Sequence, residues 1–172
     1  MRIEEQKHWF AVQVAPRREK RVAALLEYKG YEQFLPTCKL RRKWSDRTKV
    51  IENPLFPGYV FCRTQSEGVG LVVTTPGIMR ILGFGGKPYP ISDAEIVSIQ
   101  KAVSSGVELS PCPHFELGQT VQVTKGPLAG VRGLLAQVKK NQGQLVLSIN
   151  LIQKSISIEI AVSDVMGLGA AA

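Results

Sequence analysis

Two segments near the end of the chain alternate too regularly to be anything but strand. In QLVLSINLI (144–152), Leu145, Leu147, Ile149 and Leu151 fall on one side of an extended backbone. In SISIEI (155–160), Ile156, Ile158 and Ile160 share one side, with Ser155, Ser157 and Glu159 opposite. Strand side chains point alternately to two faces, so a period of two reads as half-buried strand, and serine with β-branched residues suits that state. TVQVT (120–124) alternates as well, and VRGLLAQVKK (131–140) runs into a turn at Asn141-Gln142-Gly143. Four or five short strands in about 50 residues predict a small barrel with a marginal core of its own.

The first hundred residues follow a different grammar. HWFAVQV (8–14) reads as a strand, with Phe10, Val12 and Val14 on one face and Trp9, Ala11 and Gln13 on the other. Residues 17–29 read as a helix with Val22, Leu25 and Leu26 inward, stopped by Gly30. A strand follows at 31–36. Then come two strands near 38–43 and 48–52 joined by a turn at Ser45-Asp46, a weak helix candidate at 65–74 interrupted by Gly68 and Gly70, and a strand in IMRILGF (78–84). A last helix starts in ISDAEIVSI (91–99). There Ser92 and Glu95 have capping-box spacing, and Ile91 and Ile96 can form a hydrophobic staple. The expected architecture is an α+β N-terminal domain (1–106), an antiparallel sheet flanked by helices. A linker rich in proline and glycine (107–117) leads to the all-β domain (118–169).

One stretch in the first domain resists a simple reading. In NPLFPGYVFC (53–62), three aromatic rings surround Pro57 and Gly58. Proline removes a ladder donor and glycine weakens a strand interior, so the pair belongs at an edge, a bulge or a strand start.

Charge narrows the function. The chain carries a formal net charge of +8, which draws a protein to nucleic acid or another polyanion. Residues 1–106 hold 17 Lys and Arg against 10 Asp and Glu, and residues 107–172 hold 5 against 4. The excess is therefore N-terminal. It concentrates in KLRRKWSDRTK (39–49), where Lys39, Arg41, Arg42, Lys43, Arg47 and Lys49 face only Asp46. Arg17, Arg18, Lys20 and Arg21 form a second basic group at the start of a helix, where the dipole disfavours cations. The bland reading of either group is a solvated face.

Enzymatic chemistry finds no support. His8 and His114 lie outside any catalytic or metal spacing. No P-loop, G-x-S-x-G or H-E-x-x-H occurs, and GFGG (83–86) reads as a turn. Cys38, Cys62 and Cys112 are odd in number and far apart, so they read as reduced thiols of a cytoplasmic protein. No metal or cofactor is expected. No apolar run approaches a membrane span, and the N-terminus has no apolar core of a secretory signal.

GQTVQVTKGPLAGVRG (118–133) resembles a KOW motif: a strand, a Gly-Pro turn, then glycine entering the next strand. Ahead of it, in order, come Trp9-Phe10-Ala11-Val12, LFPGYVF (55–61), TPGIMRILGFGG (75–86) and PISDAEI (90–96). Together these resemble the NusG family of transcription elongation factors, with an N-terminal domain followed by an SH3-like KOW barrel. APRREKRVAALL (15–26), FLPTCKLRRKWSDRTK (34–49) and PLFPGYVF (54–61) resemble the specialised RfaH, UpxY and LoaP kinds more than the housekeeping factor.

The resemblance implies a factor that binds RNA polymerase at the β′ clamp helices, holds the clamp closed and raises processivity or antitermination. It places Trp9, Phe56, Pro57, Gly58, Tyr59, Phe61 and Ile91 in or behind the polymerase-binding face, some of them necessarily core. It implies contact of Lys39, Arg41, Arg42, Lys43, Trp44, Arg47 and Lys49 with upstream or non-template DNA. It implies partner recruitment, of a small-subunit ribosomal protein or Rho, by the KOW loop at Lys125, Gly126, Pro127, Leu128 and Val131. A monomer is expected, and a β-barrel rather than a helical refold of the KOW segment. The rival expectation is a KOW-type RNA-binding protein of the ribosomal kind.

Overall fold

The computed structural model describes residues 6–112 and 118–168. Residues 113–117 of the expected linker, His114 among them, lie outside the described residues, as does Gly169 at the end of the expected second domain. Backbone contacts divide the chain into two compact units. One draws on the chain up to Leu35 and on Phe56–Ile96, the other on Pro36–Leu55 and the chain from Val97 on.

In chain order the elements are β1 (His8–Val14), α1 (Glu19–Tyr28), β2 (Glu32–Phe34), β3 (Thr37–Lys43), β4 (Thr48–Pro54) and β5 (Tyr59–Thr64). A 3₁₀ turn, Ser66–Gly68, leads to α2 (Val69–Val73), β6 (Ile78–Ile81), β7 (Gly83–Phe84), β8 (Lys87–Pro88) and α3 (Asp93–Ser104). Then follow β9 (Ser110–Cys112), β10 (Gln119–Val123), β11 (Arg132–Lys139), β12 (Gln142–Ile149), β13 (Lys154–Ala161) and β14 (Val165–Gly167).

The first unit is built on an antiparallel sheet ordered β2-β5-β1-β6. Val12 and Val14 of β1 and Val60 and Cys62 of β5 close on Val22, Ala23 and Leu26 of α1 and Val72 of α2. Each fully buried valine or leucine there contributes roughly 1.5–3 kcal/mol. The other face of β1 is covered too, since Trp9 and Ala11 are also buried. α1 starts two residues later than its periodicity suggests. Arg17 has φ 63°, a left-handed conformation incompatible with a helical residue, and Arg18 takes the N-cap without a side-chain cap. Gly30 ends the helix as expected, at φ 84°. The expected strand at 31–36 is only three residues long, and the 65–74 segment is a 3₁₀ turn plus a five-residue helix. At α3 the Ser92 carbonyl accepts the N–H groups of Glu95 (3.1 Å) and Ile96 (3.3 Å), which places Ser92 at the cap, with Ile91 and Ile96 both buried.

In the second unit, one antiparallel sheet runs β14-β10-β11-β12-β13-β9, and β3-β4 forms a separate hairpin. The alternating residues Leu145, Leu147, Ile149, Ile156, Ile158 and Ile160 are buried. Leu151 is an exception, because the strand ends at Ile149 and Leu151 sits in a 3₁₀ turn, Asn150–Ile152. Ser155 and Ser157, expected to face water, are buried as well, and the Ser148 and Ser155 hydroxyls hydrogen-bond at 2.7 Å. β9 lies inside the expected linker. Ser110, Pro111 and Cys112 pair with Ser157, Ile156 and Ser155 at the sheet edge, a position where proline is tolerated. Among the described residues no helix is long and apolar enough to cross a membrane.

Candidate functional site

The Pro57-Gly58 pair does not break a strand. It forms the turn that precedes β5, with Pro57 exposed and Gly58 in a left-handed conformation at φ 87° that favours glycine. The turn is held from both sides. The Gly58 carbonyl accepts the Val14 N–H (2.9 Å), and the Gly58 N–H donates to Glu19 Oε1 (2.9 Å). Glu19 is buried, and its carboxylate sits at the first turn of α1, where the helix dipole favours negative charge.

Cross-strand register sorts the aromatic residues. Tyr59 pairs with Gln13 and Phe61 with Ala11, while Trp9 pairs with Arg63, so Trp9, Tyr59 and Phe61 share one face. Phe61 is sealed between Phe34 (centroids 6.2 Å apart) and Phe56 (5.8 Å, edge-on). The Trp9 carbonyl accepts the Ile91 N–H at 2.7 Å. Trp9, Phe56, Phe61 and Ile91 are all buried. Pro57, Gly58 and Tyr59 reach solvent. Tyr59, Gln13 and Arg80 make one partly exposed row, in which Arg80 Nε donates to Gln13 Oε1 at 2.7 Å.

Sequence reasoning missed the exposed apolar groups of this unit. Phe84 (68% exposed) and Tyr89 (53%) meet edge-to-face at 5.4 Å on the β7-β8 hairpin, and Met79 (61%) stands at the register break of β6. The signal was an aromatic residue on either side of Gly85-Gly86, a segment read only as a turn.

The basic segment is a two-stranded ribbon whose residues 39–50 are all exposed. Its pairs are Lys39 with Glu52, Leu40 with Ile51, Arg41 with Val50, Arg42 with Lys49 and Lys43 with Thr48. Lys39, Arg41 and Lys43 lie on one face, and Arg42 and Lys49 lie opposite each other on the second. Like charges placed directly across a ladder are unfavourable. The Trp44 N–H donates to the Arg47 carbonyl at 2.8 Å to close the tip, leaving the Trp44 ring 60% exposed. Arg17, Arg18, Lys20 and Arg21 are exposed on the first unit.

In the loop between β10 and β11, Lys125, Gly126 and Pro127 are exposed, whereas Leu128 and Val131 are buried. The loop folds back on itself. Ala129, Gly130 and Val131 donate to the carbonyls of Gly126, Val123 and Leu128 at 3.1, 2.8 and 3.0 Å, turning both aliphatic side chains inward.

The three cysteines are free thiols. Burial, and then the negative Glu32, push Cys62 up to about 12, and burial raises Cys38 and Cys112. Because the thiolate is the reactive form, ionisation alone should slow alkylation of Cys62 in the folded protein at pH 8 by roughly 10³-fold relative to the unfolded chain. Mass-resolved iodoacetamide labelling reads this directly, and equal native and unfolded rates would contradict the buried placement. Among the described residues no group of three His, Cys, Asp or Glu side chains could hold a metal ion.

Residues 7–100 match the family model described as transcription termination factor nusG. The chain is 30% identical to the transcription termination/antitermination protein NusG of Pseudomonas aeruginosa, over 92% of this chain and 97% of that protein. It is 28% identical to the Helicobacter pylori (strain J99) protein of the same name, over 91% and 96%. Among solved structures, Thermotoga maritima NusG is similar in fold, with a TM-score of 0.52 and 21% identity over 95% of this chain and 98% of that one.

Proposed function

Because the chain belongs to the NusG family, whose members are transcription factors rather than enzymes, we propose that it accompanies RNA polymerase during elongation and keeps the enzyme in its active state. In this reading, residues 1–106 form the polymerase-binding domain and grip the β′ clamp helices. The segment from 107 leads to a KOW domain at 118–169, with its strand β9 already paired to β13 at the edge of that domain's sheet. Binding the closed clamp better than the open one shifts the population away from paused states, which requires neither cofactor nor covalent chemistry. The factor works as a monomer in the cytoplasm.

The observation that carries the reading is the partition of apolar groups in the first unit. Phe56, Phe61 and Trp9 are sealed, yet Tyr59 is half-exposed beside the Pro57-Gly58 turn and Met79, Phe84 and Tyr89 stand in solvent. Exposed aromatic residues over a rigid sheet suit a protein-docking face, since they supply large apolar area at low side-chain entropy cost. The basic ribbon supplies DNA contact, while Lys125, Gly126 and Pro127 supply the exposed part of the KOW recruiting loop. The small apolar content of that loop and the charge of the ribbon support a specialised member over the housekeeping kind.

Binding to purified RNA polymerase core tests the proposal. Wild type should bind, and Tyr59→Ala should weaken binding about tenfold or more, as truncation of an interface aromatic does. No binding by folded wild type would overturn it. Cross-links to RNA from 118–168, with none to polymerase, would favour the ribosomal-type RNA-binding reading.

A further inference from the structure

We propose that the β3-β4 ribbon enters the major groove of duplex DNA rather than lying along a single strand. The inference rests on the reading of this hairpin as the DNA-contacting part and names the form of DNA it takes. Charge is present on both faces of the ribbon. Lys39, Arg41 and Lys43 project from one and Arg42 and Lys49 from the other, and all five are exposed. A ribbon laid against one strand would use one charged face and leave the other idle. A ribbon between two phosphate walls uses both.

The dimensions agree. Sheets stack about 10 Å apart face to face, so a ribbon with its side chains is about that thick and enters the roughly 12 Å major groove edge-on, with one charged face toward each phosphate wall. Alternate residues on one face are about 6.8 Å apart, which matches two steps of the phosphate backbone along the helix axis. Single-strand binders present several rings for successive bases. Within 39–50 there is one ring, Trp44, and it is at the tip. The mutual repulsion of Arg42 and Lys49 across the ladder is relieved when a phosphate approaches either of them. The deep, narrow major groove of A-form RNA does not admit such a ribbon.

The test measures binding of the full chain to a short DNA duplex, to its separated strands and to an RNA duplex of the same sequence, between about 50 and 200 mM salt. Duplex DNA should bind tightest. If each of the five cations neutralises one phosphate, the slope of log K against log salt is about −4.5. The pair Arg42→Ser and Lys49→Ser should reduce the slope by about 1.8, and the triple change Lys39→Ser, Arg41→Ser and Lys43→Ser by about 2.7. Unchanged thermal melting of the variants confirms that folding is intact. Insertion is overturned if either face can be neutralised without effect, or if single strands or duplex RNA bind as tightly, and the DNA role of the hairpin then survives. If wild type binds no DNA at the lower salt, or the five-fold variant binds as wild type does, the DNA role itself is lost.

Discussion

Phe61→Ala is expected to lower the unfolding free energy by about 3–5 kcal/mol, as removal of a buried ring from a packed site does. The ring has no solvent contact and lies between Phe34 and Phe56, so truncation leaves a cavity beside those two rings. Against a typical stability of about 5–15 kcal/mol, such a loss is severe. Tyr59 lies two residues earlier on the same face and is half-buried. Its replacement by alanine should cost only about 1 kcal/mol of stability while weakening the proposed polymerase contact. Urea unfolding of the two variants side by side separates packing from docking. A loss below about 1 kcal/mol for Phe61→Ala would show that this part of the sheet is open, and the assignment of contact to Tyr59 would have to be redrawn.

Gly133→Val should disrupt the second unit. A Cβ at Gly133 would lie 2.6 Å from the Val146 carbonyl oxygen and 2.9 Å from a Leu147 methyl carbon, with Leu145 at 3.0 Å. Backbone cannot step aside as a flexible side chain can. The added bulk therefore has to separate β11 from β12 or shift their register, at a cost of about 1–3 kcal/mol or more. Amide exchange is the measurement of choice. Loss of protection across β11, β12 and β13 with β1 and β5 still protected would support separate folding of the proposed domains. Simultaneous loss in both would count against that division, and unchanged protection throughout would contradict the β11-β12 pairing.

The strands of the second unit were legible because alternation is a direct image of the pleat: Ile156, Ile158 and Ile160 point inward as read. β9 was not, since Ser-Pro-Cys offers no alternation and owes its strand state to β13 beside it. Pattern identifies which residues share a face, but it does not say whether another part of the chain covers that face. The resemblance puts Trp9, Phe56, Phe61 and Ile91 in or behind the proposed docking face without separating the two cases, and tertiary packing seals all four. Leu128 and Val131 follow the same logic. Nothing local announces that the loop folds back, and the hydrogen bond from Gly130 to Val123 that turns it comes from a residue seven positions away. Phe84 and Tyr89 flank a glycine turn whose sequence marks the bend, and their exposure becomes visible only once the hairpin brings the two rings together.

The Gly58 amide also makes a built-in reporter. Its proton is held by a carboxylate from a helix that begins 39 positions earlier, not by a neighbouring strand. Exchange of that proton with solvent deuterium therefore requires the start of α1 to lift from the turn, whatever the sheet is doing. A slow Gly58 signal would mark helix α1 and the Pro57-Gly58 turn as one mechanical piece, rigid on its own.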